Sequence, residues 1–192
     1  EILSIEEQNR IHAHSLRILK EVGVRYHGNK ALKILADGGA KVDMDSKIAK
    51  FPPPLVEQAL QLAPKSFVLG ARNPQFDFPL PAAAPRYCMD GTAAFAQDFE
   101  TGERRYGKRK DIENAMRIFQ QLDLCVMAWA PTTASDAPAG GRALHEFLGM
   151  ARHCSKHGQH ELHSVKQAPY LAEGLKAILG SEEQVKKRKA YS

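Results

Sequence analysis

Four histidines and one cysteine lie close together near the middle of the C-terminal half. Imidazole and thiolate groups at such spacings are common zinc ligands. On a helix, His153 and His157 would share one turn, but Gly158 and its polar neighbours favour a loop with surface imidazoles. His160 and Glu161 lack the second histidine of an HExxH zinc site. We therefore expect no metal and keep a metal-binding hydrolase as an alternative. The cluster is His153, Cys154, His157, His160 and His163.

A second group of chemically capable residues follows predicted strands. Strands are predicted at 87–89 and 124–130, and another polar segment lies at 153–156. The second strand is apolar throughout, which is typical of a parallel strand buried on both faces. The alternative to a binding role is core packing for the aromatic residues Tyr87 and Trp129, and helix or turn capping for Thr132 and Asp136. The candidate binding residues are Tyr87, Asp90, Thr92, Trp129, Thr132 and Asp136.

Several function classes lack support in the sequence. There is no GxSxG, no P-loop and no GxGxxG, which leaves serine hydrolases and nucleotide-binding folds without a motif. The net charge of +5 owes much to the basic run at 186–189. A solvated helix end explains that run better than a nucleic-acid patch, so we expect no nucleic-acid partner.

Hydropathy and cysteine usage predict a cytoplasmic protein. The longest apolar run, 124–130, is far shorter than the ~18 residues of a membrane span. The first twenty residues carry charges at Glu6, Glu7, Arg10 and Arg17 and form no signal-peptide core. The three cysteines form no CxxC pair, which is typical of free thiols in a reducing compartment.

The order of elements predicts an α/β chain with an α-rich cap over 1–85. Ser4 and Glu7 form a capping box before the first helix, and Gly23 is a natural stop. Further helices with short strands follow. The stretch 70–85 is rich in Pro and Ala and is predicted to be an excursion resembling a linker.

Residues 86–192 predict the first βα units of a TIM-type barrel. Strands alternate with helical patterns, the clearest of which is 110–122, and this order favours a parallel sheet. A closed barrel typically needs about 250 residues. Because only about a hundred residues follow the cap, we expect an incomplete barrel. Its sheet would stay open, be completed by another chain, or continue in further residues.

Short segments spread along the chain together resemble the trimethylamine/betaine methyltransferase family of corrinoid-dependent enzymes. The similarity runs in order along nearly the whole chain, and its most specific piece is the acidic and basic segment around Gly102. The segments that carry it are Ile2-Leu3-Ser4, Leu19–Val24, Phe51-Pro52-Pro53, Ala63–Phe67, Gly70–Pro74, Asp98–Arg105, Asp136-Ala137-Pro138 and Arg152–Lys156.

The resemblance implies part of an enzyme that moves a methyl group from a tertiary or quaternary amine to a corrinoid protein, as in methanogenesis. The corrinoid would be carried by that partner protein and not bound directly here. A methylated ammonium favours aromatic faces with a nearby carboxylate, which is the role implied for the candidate residues above. The family's pyrrolysine, which its trimethylamine branch uses, would lie beyond Ser192, so the branch stays open. The catalytic residues are unknown and are likewise expected beyond Ser192. A homo-oligomer is a further expectation, and a truncated, non-catalytic relative that associates through an open sheet edge is the alternative.

Overall fold

The computed structural model describes residues 2–192, which divide into two compact units, up to Pro64 and from Lys65 onward. The predicted boundary near residue 85 stays a prediction. The helices are α1 (Ile5–Glu21), α2 (Asn29–Asp37), α3 (Pro53–Leu62), α4 (Arg109–Gln121), α5 (Arg142–His153), α6 (Ala168–Leu179) and α7 (Glu182–Arg188). The strands are β1 (Val24–Arg25), β2 (Lys41–Asp43), β3 (Ile48–Lys50), β4 (Phe67–Leu69), β5 (Phe78–Leu80), β6 (Tyr87–Cys88), β7 (Phe95–Gln97), β8 (Arg104–Tyr106), β9 (Cys125–Trp129) and β10 (His157–Gln159).

The first unit packs three helices around a small antiparallel sheet of order β1–β3–β2. The predicted capping box is confirmed, because the Ser4 hydroxyl accepts from the Glu7 N–H and the Glu7 carboxylate accepts from the Ser4 N–H. Gly23 follows α1 with a φ of 80°, a left-handed conformation that glycine adopts without strain. Apolar side chains from the three helices line a groove of about 370 Å³ within this unit.

The second unit is built on a parallel sheet in which β9 lies between β6 and β10. Each step between neighbouring strands passes through a helix, α4 and then α5, as in crossover connections. After α7 the chain returns to the sheet, and Tyr191 forms a parallel bridge with Gly158 of β10. The predicted α/β class and parallel sheet are therefore confirmed. The described strands close no barrel.

Within the described part of the second unit, residues 65–192, helices α4 and α5 cover one face of this sheet and no helix covers the other. The amphipathic pattern predicted for 110–122 is confirmed by α4, whose apolar side packs with α5 on the sheet. Ala128 and Ala130 of the β9 segment lie in this core and are each 1% exposed. By the alternation of strand side chains, Met127 and Trp129 lie on the face that no helix covers. The core cluster comprises Ile112, Met116, Phe119, Ala128, Ala130, Ala134, Met150 and Cys154.

The expectation of a linker over 70–85 is wrong. Within this stretch β5 pairs with β4 in an antiparallel ribbon. The Asn73 N–H donates to the Ser155 carbonyl at 3.0 Å, just before β10. The Arg188 guanidinium donates to the Ala71 carbonyl at 2.6 Å and pairs with Asp77. Proline and alanine are compatible with this arrangement because edge ribbons and turns need few backbone donors.

A substitution at Gly158 tests how tightly the segment after α7, which contains Tyr191, packs on β10. A Cβ atom at Gly158 would overlap the Tyr191 ring, which packs edge-on against Phe147 of α5 at 5.2 Å between centroids. We expect Gly158→Ala to lower the free energy of unfolding by about 2 kcal/mol, a usual cost of overpacking, as measured by urea denaturation. Gly140→Ala is the control, since its Cβ would meet no atom within 4 Å. Equal stability of the two variants would contradict this packing.

Candidate functional site

The candidate site is the edge where the parallel strands end, which we call the carboxyl edge. It consists of three segments that follow β6, β9 and β10: residues 89–93, 130–136 and 160–163. The first two stay paired beyond the strands, since the Ala93 N–H donates to the Pro131 carbonyl and the Thr133 N–H donates to the Ala93 carbonyl, at 3.0 and 2.9 Å. In parallel α/β structures this edge is where ligands bind.

Trp129 is the last residue of β9 and lies at this edge on the face without helices. A Cβ at Gly91 would overlap the indole, so the Gly91 backbone packs directly on the ring. The indole N–H is buried and has no hydrogen-bond partner among the described residues. An unmade hydrogen bond to a buried group costs about 1–3 kcal/mol. Trp129 thus presents a donor that this part of the chain leaves unused.

The two candidate threonines already make structural hydrogen bonds. The Thr92 hydroxyl donates to the Ala130 carbonyl at 3.2 Å, and the Thr132 hydroxyl donates to the Ala93 carbonyl at 2.8 Å. Thr132 is 4% exposed and packs where a Cβ at Gly107 would lie. Both hydroxyls therefore join the segments after β6 and β9.

The two candidate aspartates differ in their partners. The Asp136 carboxylate accepts from the Arg109 N–H at 2.8 Å, at the first residue of α4. It supplies an acceptor to an otherwise unpaired N–H, which is the capping alternative raised from the sequence. Asp90 is exposed, and its carboxylate accepts only the adjacent Gly91 N–H, at 3.0 Å, among its contacts in the described chain. Asp90 is the freer of the two to meet a ligand.

Tyr87 does not lie at the carboxyl edge. It is the first residue of β6, pairs with Cys125 at the start of β9, and is 59% exposed. Its side chain borders a groove of about 480 Å³ between the sheet and the 78–86 segment. The structure therefore brings Asp90, Thr92, Trp129, Thr132 and Asp136 to the carboxyl edge and leaves Tyr87 at the other end of its strand.

The histidines near residue 155 have separate partners. The sequence suggested a surface loop at His157. Instead, His157 is 2% exposed in β10, where its ring contacts the Gly70 carbonyl at 2.7 Å. His153 ends α5 and contacts Arg117 at 3.2 Å. Gly158 permits the strand because it leaves room for the Tyr191 ring. Among residues 2–192, no three His, Cys, Asp or Glu side chains are grouped to hold a metal ion.

A buried carboxyl group behind the edge was not predicted. Glu146 of α5 is 2% exposed, and its carboxylate accepts from the Ala134 N–H at 2.9 Å, which fixes the segment after β9. Burial raises the pKa of Glu146. The sequence did contain a signal for this burial, because Glu146 lies in the apolar stripe of Ala143, Phe147 and Met150 at helical spacing.

His160 of the same region was grouped with the metal candidates but has a different environment. Its Nε2 lies 2.7 Å from the Ala143 carbonyl, to which it donates, and burial lowers the pKa of its imidazole. His160 therefore links the segment after β10 to the start of α5. The carboxyl edge is fixed by backbone and buried polar contacts, while Asp90 and Trp129 keep unused binding capacity.

Comparison with known proteins identifies the family. The family model described as trimethylamine methyltransferase matches residues 1–191. The chain belongs to the trimethylamine methyltransferase family. The predicted resemblance is thus confirmed, and the matched region includes every residue of the carboxyl edge.

Individual relatives agree with this family. The chain is 29% identical over 189 residues to the trimethylamine methyltransferase MttB of Desulfitobacterium hafniense, covering 98% of this chain and 38% of that protein. It is 24% identical over 192 residues to MttB of Methanosarcina barkeri, covering 98% and 39%. It is 28% identical over 161 residues to the proline betaine:corrinoid methyltransferase of Eubacterium limosum, covering 82% and 31%. The chain therefore spans about two fifths of the length of the first two relatives.

In this family member, none of the helices within residues 2–192 has the length and apolar character that crossing a membrane requires.

The buried carboxyl group gives a pH-dependent prediction. Because the folded-state pKa of Glu146 lies above its ordinary value of 4.5, the fold favours the protonated form. That stabilisation is fully present below pH 4.5 and is lost as the pH rises through the folded-state pKa. We expect Glu146→Gln, which keeps an acceptor for Ala134 and cannot ionise, to unfold at higher urea concentration than the wild type at pH 7.

The advantage of Glu146→Gln should shrink as the pH falls through the folded-state pKa of Glu146 and should be gone below pH 4.5. Glu100→Gln, in the exposed turn between β7 and β8, is the matched control and should show no such pattern. A gap between Glu146→Gln and the wild type that stays constant from pH 4 to pH 8 would contradict a raised pKa.

Proposed function

We infer that residues 1–192 form part of a methyltransferase that moves a methyl group from a tertiary or quaternary amine to a corrinoid protein. The observation that carries this proposal is the family match over residues 1–191. Relatives matched over nearly the whole chain are named as trimethylamine or proline betaine methyltransferases. Since the chain spans about two fifths of the first relatives, the activity would belong to a longer protein.

The proposal includes a TIM-type barrel, with residues 1–85 as its cap and 86–192 as its first units. Three parallel strands follow one another in space in chain order, and Tyr191 begins to pair beside β10. Parallel sheets are normally covered on both faces. Here one face packs on helices, while Met127 and Cys88 border an open groove on the other. Further strands that curl round this face would bury it, as in a barrel interior.

The substrate would bind at the carboxyl edge. An ammonium that carries methyl groups interacts with an aromatic face and with a carboxylate, because it has few or no N–H donors. Trp129 supplies the aromatic group and Asp90 an exposed carboxylate. Thr92, Thr132 and Asp136 would shape this edge through their backbone hydrogen bonds. Tyr87 has the weakest support, since it lies at the opposite end of its strand.

The side chains at the carboxyl edge suit the amine and not a macrocycle. They offer a carboxylate, an indole and small hydroxyl groups, a set that recognises a small cation. The corrinoid would be brought by the partner protein, and its cobalt would supply the acceptor for the methyl group. The residues of this chain would hold and orient the amine towards that acceptor.

Asp90 gives a direct test of the proposed function. Asp90→Asn keeps an oxygen that can accept from the Gly91 N–H and removes only the charge. In the native protein that contains residues 1–192, we expect the KM for a methylated amine to rise about five-fold, as for the loss of one exposed ion pair. The assay measures the demethylated amine formed in the presence of a corrinoid protein.

Asp123→Asn is the matched control, because Asp123 is exposed and precedes β9 at the opposite end of the sheet. Its KM should equal that of the wild type. If no demethylated amine forms from any tertiary or quaternary amine, the transferase proposal fails and a non-catalytic association module is favoured.

A further inference from the structure

The hairpin formed by β7 and β8 starts and ends at the carboxyl edge. At its base the Gly107 N–H donates to the Ala94 carbonyl at 3.3 Å, and the Gly107 carbonyl accepts from the Ser135 N–H at 3.0 Å. The Thr132 hydroxyl donates to the Ala93 carbonyl at 2.8 Å, and the Thr132 side chain packs where a Cβ at Gly107 would lie. Both ends of the hairpin are therefore held against the segment that follows β9.

One face of the hairpin is fixed by ion pairs. Arg105 of β8 donates to the Asp111 carboxylate of α4 through two hydrogen bonds, at 2.8 and 2.9 Å, and lies 3.6 Å from Asp98. A bidentate pair of this kind fixes orientation as well as charge. Asp98 also accepts from the N–H groups of Glu100 and Thr101, at 3.2 and 3.1 Å, which fixes the turn. The hairpin thus has a defined orientation on α4 without the use of its other face.

The other face of the hairpin is exposed and aromatic. Phe95 lies opposite Tyr106 in the register, and their rings stack with centroids 5.0 Å apart. Arg104 lies opposite Gln97 and reaches diagonally to Phe95, so that its guanidinium carbon is 4.0 Å from the centre of that ring. All four side chains are exposed. We call them the aromatic face: Phe95, Gln97, Arg104 and Tyr106.

Arg104 has binding capacity that the described chain does not use. Within residues 2–192 its guanidinium contacts the Phe95 ring and forms neither a hydrogen bond nor an ion pair. Glu103 precedes it and lies on the opposite face, because side chains alternate along a strand. The planar donors of a guanidinium match the two oxygens of a carboxylate. The group that complements this face is therefore a carboxylate next to an apolar side chain.

The composition of the aromatic face is typical of a protein-binding surface. Arginine and tyrosine are enriched among the few residues that dominate the binding energy of interfaces. Phe99, in the turn of the hairpin, is fully exposed and extends the apolar surface. Because Thr132 and Arg105 already hold the hairpin in place, a docking partner would order little additional chain. An exposed surface that is fixed in this way favours rigid docking of a protein.

We propose that the aromatic face docks the protein that carries the corrinoid, through a carboxylate of that protein that pairs with Arg104. The methyl acceptor must reach the carboxyl edge, and the hairpin starts and ends there, so a partner on this face is held beside the amine. This inference rests on the proposed function and adds to it the surface by which the two proteins recognise each other.

Kinetics with the corrinoid protein as the varied substrate test this docking. The probe is a corrinoid protein that supports demethylation by the wild type, and the enzyme is the native protein that contains residues 1–192. Arg104→Ala should raise the KM for the corrinoid protein about thirty-fold, as for the loss of an interface hot spot. The kcat at saturating corrinoid protein and the KM for the amine should stay unchanged. Arg104→Lys should recover part of the loss, since it restores the charge without the planar donors.

Arg86→Ala is the matched control. Arg86 is also exposed, and its guanidinium carbon lies 5.7 Å from the centre of the Phe78 ring, but it precedes β6 at the opposite end of the sheet. Its KM for the corrinoid protein should equal that of the wild type. Circular dichroism verifies that each variant is folded, and isothermal titration calorimetry of the corrinoid protein should give the same order of Kd values without dependence on turnover.

The outcomes distinguish this inference from the proposed function. An unchanged KM for the corrinoid protein in Arg104→Ala overturns the docking face and leaves the transferase function intact. A lower melting temperature with unchanged KM shows that the rest of the native chain covers the face, and a lower mass in analytical ultracentrifugation of the protein alone shows that a second copy does; both overturn the proposal. If the wild type demethylates no amine, the proposed function fails, and the docking proposal that rests on it fails too.

Discussion

The second unit depends on a three-stranded parallel ladder whose central strand must be covered on two faces. Helices α4 and α5 cover one face with a continuous apolar core, in which Ala128 and Ala130 are the contributions of the central segment. Small residues there let the helices approach closely. The larger side chains, Met127 and Trp129, are left for the other face. The division of small and large residues along one strand thus decides which face packs on the helices.

Glycines set the positions of the large side chains around this ladder. At Gly91, Gly107 and Gly158 a Cβ would overlap Trp129, Thr132 and Tyr191 respectively. Each glycine therefore marks a place where a ring or a branched side chain packs against backbone. Two of these contacts lie at the carboxyl edge, and they restrict Trp129 and Thr132 to one position each. Close packing therefore adds to the backbone and buried polar contacts that already fix this edge.

Much of the fold could be predicted from the sequence because its signals are local. The capping box at Ser4 and the apolar stripe of α4 each depend on neighbours within a few residues, and both are confirmed. The 70–85 segment was misjudged because its partners, Ser155 and Arg188, are distant in sequence. The strand at His157 had only a weak signal for the same reason, since a glycine between two polar residues forms a strand only when β9 supplies the ladder.

The candidate site shows the same division between local and long-range information. Sequence could place Asp90 after a strand and Trp129 near the end of one, but it gave no order of importance among six residues. Register adds positions that the sequence lacks: it aligns Gln159, which carries no local signal at all, with Trp129, and it places Tyr87 at the opposite end of its strand. A one-residue slip would turn every one of these side chains to the other face. The make-up of the carboxyl edge is therefore a property of strand pairing, which is why it emerges only once the ladder is known.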